Sequence, residues 1–137
     1  MGRVFFDTRK NIVDVSAAKT LLPSDSGSVF MINQASAYDI ALPAASDAQR
    51  GWNAEFILGT ADSNAVTISA TTGDGDNIHG HSIDGEDAAQ TVTEGTGVDV
   101  ITFASGATKG DRVSLMCDGV SYYVFGLAAD KAHITLT

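Results

Sequence analysis

Apolar and polar residues alternate along most of this chain in short segments, and turn-forming residues end nearly every segment. Apolar residues rarely recur at intervals of three and four, as a helix with one buried face requires. Gly is frequent, with 14 residues, whereas Pro is scarce, with 2. The chain is therefore predicted to be all-β, a compact sandwich or small barrel-like fold of about eight or nine short strands with an extended N-terminal arm.

The alternating segments give the predicted strands. Seven of them are clear, and they are residues 28–33, 38–42, 52–59, 65–70, 98–104, 112–118 and 121–127. The segments 11–15, 77–83 and 133–137 are weaker candidates for the remaining one or two. The small-residue turn 34–37 predicts a hairpin between 28–33 and 38–42, and the short polar link after 98–104 predicts that this strand pairs with 112–118. Asp118-Gly119 is a strong hairpin signal between the next two strands. One helical turn is predicted within 44–50.

The length of 137 residues fits one domain, which we predict to comprise residues 12–137 after an arm of residues 1–11. Cys117 is the single cysteine, which excludes an internal disulfide framework and a cysteine-built zinc site. It lies in an apolar strand, where a free cysteine behaves as a small buried hydrophobic residue. No run of 18 apolar residues occurs, so no transmembrane helix is predicted.

The charge is divided unevenly along the chain. Residues 1–19 hold four Lys and Arg and two Asp, a net charge of +2, whereas residues 20–137 hold four bases and 15 acids, a net charge of −11. An acidic surface repels nucleic acid and anionic lipid, because phosphate binding needs clustered cations. We therefore predict no nucleic-acid and no membrane partner. The basic arm on an acidic body indicates docking onto another protein; the alternative is that the acidic surface only keeps the protein in solution and the basic tail arises by chance.

The richest polar cluster is the segment 74–87. Its opening resembles a calcium loop, but positions six and twelve are His79 and Gly85 rather than Gly and Glu, so the EF-hand pattern fails. His79 and His81 are expected on one side of a strand, without a third His nearby. We predict a solvated or trimer-facing loop, and no metal, no cofactor and no catalytic residues, since no nucleophile or phosphate-binding motif occurs.

The aromatic residues on predicted strands are interpreted mainly as core. They are Phe30, Tyr38, Trp52, Phe56, Phe103, Tyr122, Tyr123 and Phe125. Trp52, Phe56, Ile68, Phe103, Leu115 and Val124 in particular are predicted to be buried. Phe5 and Phe6 lie in the arm, where two adjacent aromatic residues cannot both enter one local face. They are interpreted either as anchors in a partner subunit or as part of an ordinary first strand.

Several segments together are similar to a module of tailed-bacteriophage virion proteins. They are Leu21-Leu22-Pro23-Ser24-Asp25-Ser26-Gly27 with the strand to Asn33, Tyr38-Asp39-Ile40-Ala41-Leu42-Pro43, residues 51–61, the strand 65–70, Lys109-Gly110-Asp111-Arg112-Val113-Ser114-Leu115, and Asp118-Gly119-Val120-Ser121-Tyr122-Tyr123-Val124. The likeness covers most of residues 8–136. It is strongest to small capsid decoration (cement) proteins, which sit on the outside of capsids, commonly as trimers.

The resemblance implies a non-enzymatic structural protein of the virion, on the outer surface of the capsid. Its partners would be the major capsid protein and itself, as a homotrimer. The candidate capsid-binding residues lie in the basic arm and are Arg3, Val4, Phe5, Phe6, Arg9 and Lys10. The alternative is a trimeric tail-fibre or tail accessory domain that binds a host glycan, since fibre proteins use similar segments.

Overall fold

The computed structural model of the chain describes residues 9–70, 77–85 and 92–137. Its strands are β1 (Ile12–Val15), β2 (Lys19–Thr20), β3 (Ser28–Asn33), β4 (Tyr38–Ala41), β5 (Arg50–Thr60), β6 (Val66–Ser69), β7 (Ile78–Asp84), β8 (Val92–Val98), β9 (Val100–Phe103), β10 (Arg112–Asp118), β11 (Tyr122–Ala128) and β12 (Ile134–Leu136). A 3-10 turn at Pro23–Asp25 and the one-turn helix α1 (Ala45–Ala48) complete the regular structure of this part of the chain.

Two mixed sheets form a sandwich, which confirms the all-β prediction and favours the sandwich over the barrel. One sheet has the strand order β1-β3-β5-β10-β11-β7-β8, and the other has the order β12-β9-β6-β4-β2. The described residues form 12 strands rather than the eight or nine predicted. The number was underestimated because β2 is only two residues long and β8 lies in a polar stretch that was interpreted as loop.

The first half of the chain is wound as three stacked turns. Each turn places one strand in the seven-stranded sheet and the next in the five-stranded sheet, and equivalent strands pair in parallel. Val13, Phe30 and Phe56 are thereby aligned across β1, β3 and β5. The predicted hairpin between 28–33 and 38–42 is wrong, because the link 34–37 carries the chain across to the opposite sheet.

The last part of the chain is mostly antiparallel. β10 and β11 form the predicted hairpin around Asp118-Gly119, and β10 also pairs with β5. The predicted pairing of 98–104 with 112–118 is wrong, since β9 lies in the other sheet between β6 and β12. The link that separates β9 from β10 changes sheets, and the Asp111 carboxylate secures it by accepting hydrogen bonds from Thr108 N (2.8 Å) and Ala129 N (2.9 Å).

The space between the two sheets is filled by one apolar core. All six side chains predicted to be buried are buried, namely Trp52, Phe56, Ile68, Phe103, Leu115 and Val124. The rings of Phe30 and Phe56 stack with centroids 5.2 Å apart. Cys117 is also buried, as predicted, and its Sγ accepts a hydrogen bond from Gly119 N. The core therefore accounts for the inward-facing residues of the strands.

Candidate functional site

Two of the predicted arm residues lie in the described part of the chain. Arg9 and Lys10 are exposed, and the Lys10 ammonium forms a salt bridge of 2.6 Å with Glu55 Oε2 on β5. Arg3, Val4, Phe5 and Phe6 lie outside the described residues. The structure therefore places the base of the arm beside an acidic side chain of the domain.

The base of the arm is tied to the seven-stranded sheet by its next residue. Asn11 donates from Nδ2 to Ser28 Oγ (3.1 Å), and its carbonyl accepts a hydrogen bond from Val29 N (2.8 Å). A shallow cleft between Lys10 and the outer side of β5 and β10 follows from this arrangement. Lys10 thus reaches the outer side of that sheet, whereas Asn11 lies beside β3 at the edge of the sheet.

The outer side of β10 and β11 carries a group of exposed apolar side chains. Met116, Tyr123, Phe125 and Leu127 are 56, 46, 56 and 47% exposed, and we call these four residues the aromatic face. Met116 is paired with Tyr123 across the two strands. Because side chains of paired residues stand on the same side of a sheet, the four form one surface.

The aromatic face is bordered by the two histidines on β7. Tyr123 is paired with His79 and Phe125 with His81, so both imidazoles lie on one side of the strand, as predicted. The rings of His79 and Tyr123 are 6.1 Å apart, and His79 Nδ1 accepts a hydrogen bond from Gly97 N (3.0 Å). His79 is thereby used in packing and in a backbone contact rather than presented as a free ligand.

The interpretation of the strand aromatics mainly as core does not hold for Tyr123 and Phe125, which are exposed. Tyr122 and Val124 enter the core, and the residues that alternate with them point outward. The segment 122–125 is apolar at four consecutive positions, which is typical of a strand whose two faces are both covered. This signal in the sequence indicates a contact surface, and it was missed when aromatic character was equated with burial.

The Asp118 carboxylate lies at one end of the aromatic face, beside Tyr123. Asp118 accepts hydrogen bonds from Ser121 N (2.7 Å), Val120 N (2.8 Å) and Tyr123 Oη (3.0 Å). These donors, the Ser121 amide foremost, hold the pKa of Asp118 below its usual value. The same hydrogen bond to Asp118 raises the pKa of the Tyr123 phenol. The turn and the exposed tyrosine are therefore fixed together.

The rest of the described chain offers little for chemistry. Within residues 9–70, 77–85 and 92–137, no three His, Cys, Asp or Glu side chains are grouped closely enough to hold a metal ion. His133 Nδ1 lies 2.8 Å from Asp111 Oδ2, and this pair joins the link before β10 to the link before β12. No helix of the described residues has the length and apolar character needed to cross a bilayer.

Comparisons with known proteins match this chain to no family model, no curated protein and no solved structure. The features of the chain that bear on function are therefore the aromatic face, the base of the arm and the segments that resemble phage virion proteins.

Proposed function

We propose that this protein is a structural, non-enzymatic component of a tailed-phage virion that binds the outside of the assembled capsid and stabilises the shell lattice. The observation that carries the proposal is the aromatic face, where four large apolar side chains stand exposed together on two neighbouring strands, as is expected of a protein that acts as an assembly of copies on a lattice. Contiguous exposed apolar surface marks sites of protein interaction. The segment-by-segment resemblance to decoration proteins supports the same function.

The proposed mechanism is linkage. A protein that binds only the assembled lattice stabilises that lattice by the free energy of binding. Many identical contacts over the shell then act together through avidity. The partners in this proposal are the major capsid protein and further copies of the chain as a homotrimer, with no nucleic-acid and no membrane partner, and the place of action is the outer surface of the capsid.

The N-terminal arm is the proposed attachment element. Its cations, Arg3, Arg9 and Lys10, precede a strongly acidic body, and Phe5 and Phe6 supply apolar side chains. An extended segment adds backbone hydrogen bonds to an exposed strand edge of a partner, while alternate side chains fill pockets. The Lys10–Glu55 salt bridge supports this arrangement, since it fixes where the arm begins on the domain.

Deleting residues 2–8 tests the proposed attachment while keeping Lys10 and its contact with Glu55. We expect the shortened chain to fold with an unchanged melting temperature and to lose co-sedimentation with capsids. The substitution Lys109→Ala, which removes one exposed cation outside the arm, is the matched control and should bind normally. Unchanged decoration by the shortened chain would move attachment to the acidic body, and unfolding would assign the arm to the first strand.

The alternative, a trimeric tail accessory domain that binds a host glycan, draws on one specific observation. Glycan binding needs exposed aromatic rings for stacking, and although Trp52 is buried, Tyr123 and Phe125 are exposed. The number of copies per virion separates the two proposals. A capsid protein occurs in the high copy number of the shell lattice, whereas a tail protein occurs in few copies.

A further inference from the structure

We propose that the aromatic face is the surface through which copies of this chain pack against one another. The inference deepens the proposed function, on which it rests for the expectation that the chain self-associates, and it assigns that association to a surface. The occupant of the face is thus a second copy of the chain, rather than the shell protein or a glycan.

The composition of the face is that of a protein interface. Protein interfaces are enriched in Tyr, Phe, Met and Arg and depleted in Lys and Glu. The outward residues of β10 and β11 include Met116, Tyr123 and Phe125, with Arg112 at one end, and they include no Lys or Glu. The centre of this surface can therefore be desolvated without removing a charge from water.

The net charge of the chain favours this face over the rest of the surface. Each copy carries a charge of −9, so two copies repel one another through most orientations. On the outward side of β10 and β11, Arg112 and Asp118 are the two charged residues and they cancel, and Arg50 on β5 is paired with Asp118 beside them. Self-association is opposed least at a surface such as this one, where negative charge does not accumulate.

The two charges also lie where a second copy can neutralise them. Arg112 begins β10 and Asp118 ends it, so they stand about 20 Å apart at opposite ends of the face. In a two-fold pair with reversed strands, Arg112 of each copy meets Asp118 of the other. In a closed ring with the faces turned to the axis and β10 running around it, the Arg112 end of one copy likewise meets the Asp118 end of the next.

Sedimentation of the full-length protein without capsids tests the inference. We expect the wild-type chain to associate at micromolar concentration and Phe125→Ser to raise the dissociation constant about thirtyfold, as for loss of a central aromatic contact. Leu22→Ser is the matched control, because Leu22 is 57% exposed, close to the 56% of Phe125, and lies outside the sheet. Its dissociation constant should equal that of the wild type.

The charge argument has its own pair of variants. Arg112→Glu should weaken association, and the loss should shrink as salt is raised, since screening reduces repulsion between like charges. Lys109→Glu makes the same change of charge in the link before β10, outside the face, and should leave association nearly unchanged. Equal effects of the two substitutions would show that only net charge matters and would overturn the assignment of the ends.

Three results would overturn the inference as a whole. The first is a wild-type chain that remains monomeric at about 100 μM. The second is a Phe125→Ser chain whose dissociation constant equals that of the wild type. The third is a Phe125→Ser chain that still associates but no longer binds capsids or a soluble polysaccharide. Capsid binding of the wild type is measured separately. A chain that associates through the face without binding capsids would leave this inference standing and refute the proposed function.

Discussion

The two halves of the sandwich are held together in different ways. In the stacked half, from β1 to β6, neighbouring strands come from successive turns of the chain, and the turns grow from 17 residues between Val13 and Phe30 to 26 between Phe30 and Phe56. In the antiparallel half, β10 and β11 are joined by a tight turn, and Cys117 pairs with Tyr122. Strand pairing in the stacked half therefore joins residues far apart in the sequence, whereas pairing in the β10–β11 hairpin joins residues close together in the sequence.

The difference shows what a turn sequence can specify. The hairpin turn has Gly119 at a φ of 94°, a conformation that few other residues adopt readily, and Asp118 bonds the turn amides. The link 34–37 contains no residue with a positive φ. Instead, Gln34 is fully buried and reaches Ala104 O (2.9 Å), 70 residues away. The stacked half therefore depends on distant partners.

The largest effect is expected in the shared core. Phe56→Ala and Phe103→Ala should each lower the free energy of unfolding by about 3–5 kcal/mol, because both rings are fully buried. Phe56 also stacks on Phe30, so its loss should be the greater by about 1 kcal/mol. Chemical denaturation measures both. A loss below about 1 kcal/mol for either ring would contradict the assigned core.

A smaller effect is expected where β7 meets β11 in parallel. Gly80 has a φ of 146°, and a Cβ at this position would overlap the carbonyl oxygen of Val124. Gly80→Ala should therefore cost about 2–3 kcal/mol of stability by forcing the two strands apart. Gly106→Ala is the control, since no atom lies within 4 Å of the added Cβ. Equal thermal stability of the two variants would contradict the close approach.

The buried amide of Gln34 tests how the stacked half joins the other. Its side-chain Nε2 donates to Ala104 O, and its side-chain Oε1 accepts a hydrogen bond from Asp62 N (3.2 Å). The main-chain carbonyl of Gln34 accepts a further hydrogen bond from Asn64 Nδ2 (2.9 Å). Gln34→Ala should cost about 2 kcal/mol, because the partly buried Ala104 carbonyl and Asp62 amide each lose a hydrogen bond and the fully buried side chain is removed.

The control for Gln34→Ala is Asn53→Ala. Asn53 is exposed and its side-chain amide donates to Gly51 O, two residues away, so the loss should stay within about 0.5 kcal/mol. Urea denaturation of the two variants gives the comparison. Similar losses at both positions would contradict the view that distant contacts hold the stacked half together.

The positions of most strands and their buried faces could be predicted from the sequence, because alternation is a local property of the chain. The pairing could not, except at Asp118-Gly119, because only that turn specifies its own geometry. The stacked turns cannot be recognised as a sequence repeat, because the spacing between aligned residues changes from one turn to the next. Lys19 and Ile40 are 21 residues apart, whereas Ile40 and Ile68 are 28 residues apart. A repeat of unequal length leaves no fixed period.

The candidate site was predicted less well for a related reason. Alternation tells which residues share a face of β11, but it does not tell which face is covered when both are apolar. Tyr122 and Tyr123 are adjacent residues of the same type, yet Tyr122 is buried and Tyr123 is exposed. The two sheets decide between them, since Tyr122 packs edge-on against Trp52 in the core, with ring centroids 5.7 Å apart.

The smallest effect is expected at the local turn, where Asp118 is exposed. Its pKa in the folded protein is lowered from 3.8, mainly by the amide of Ser121 and then by that of Val120. A lowered folded pKa stabilises the fold above the unfolded pKa, and this contribution disappears as the pH falls from 3.8 through the folded pKa.

Asp118→Asn lacks a titrating group at this position and should be slightly less stable than the wild type near neutral pH. The difference in free energy of unfolding should shrink as the pH falls below 3.8. Urea denaturation from pH 7 to about pH 2 measures it. A difference that stays constant with pH would show that the carboxylate charge does not stabilise the turn, and that the antiparallel half depends, like the stacked half, on distant contacts.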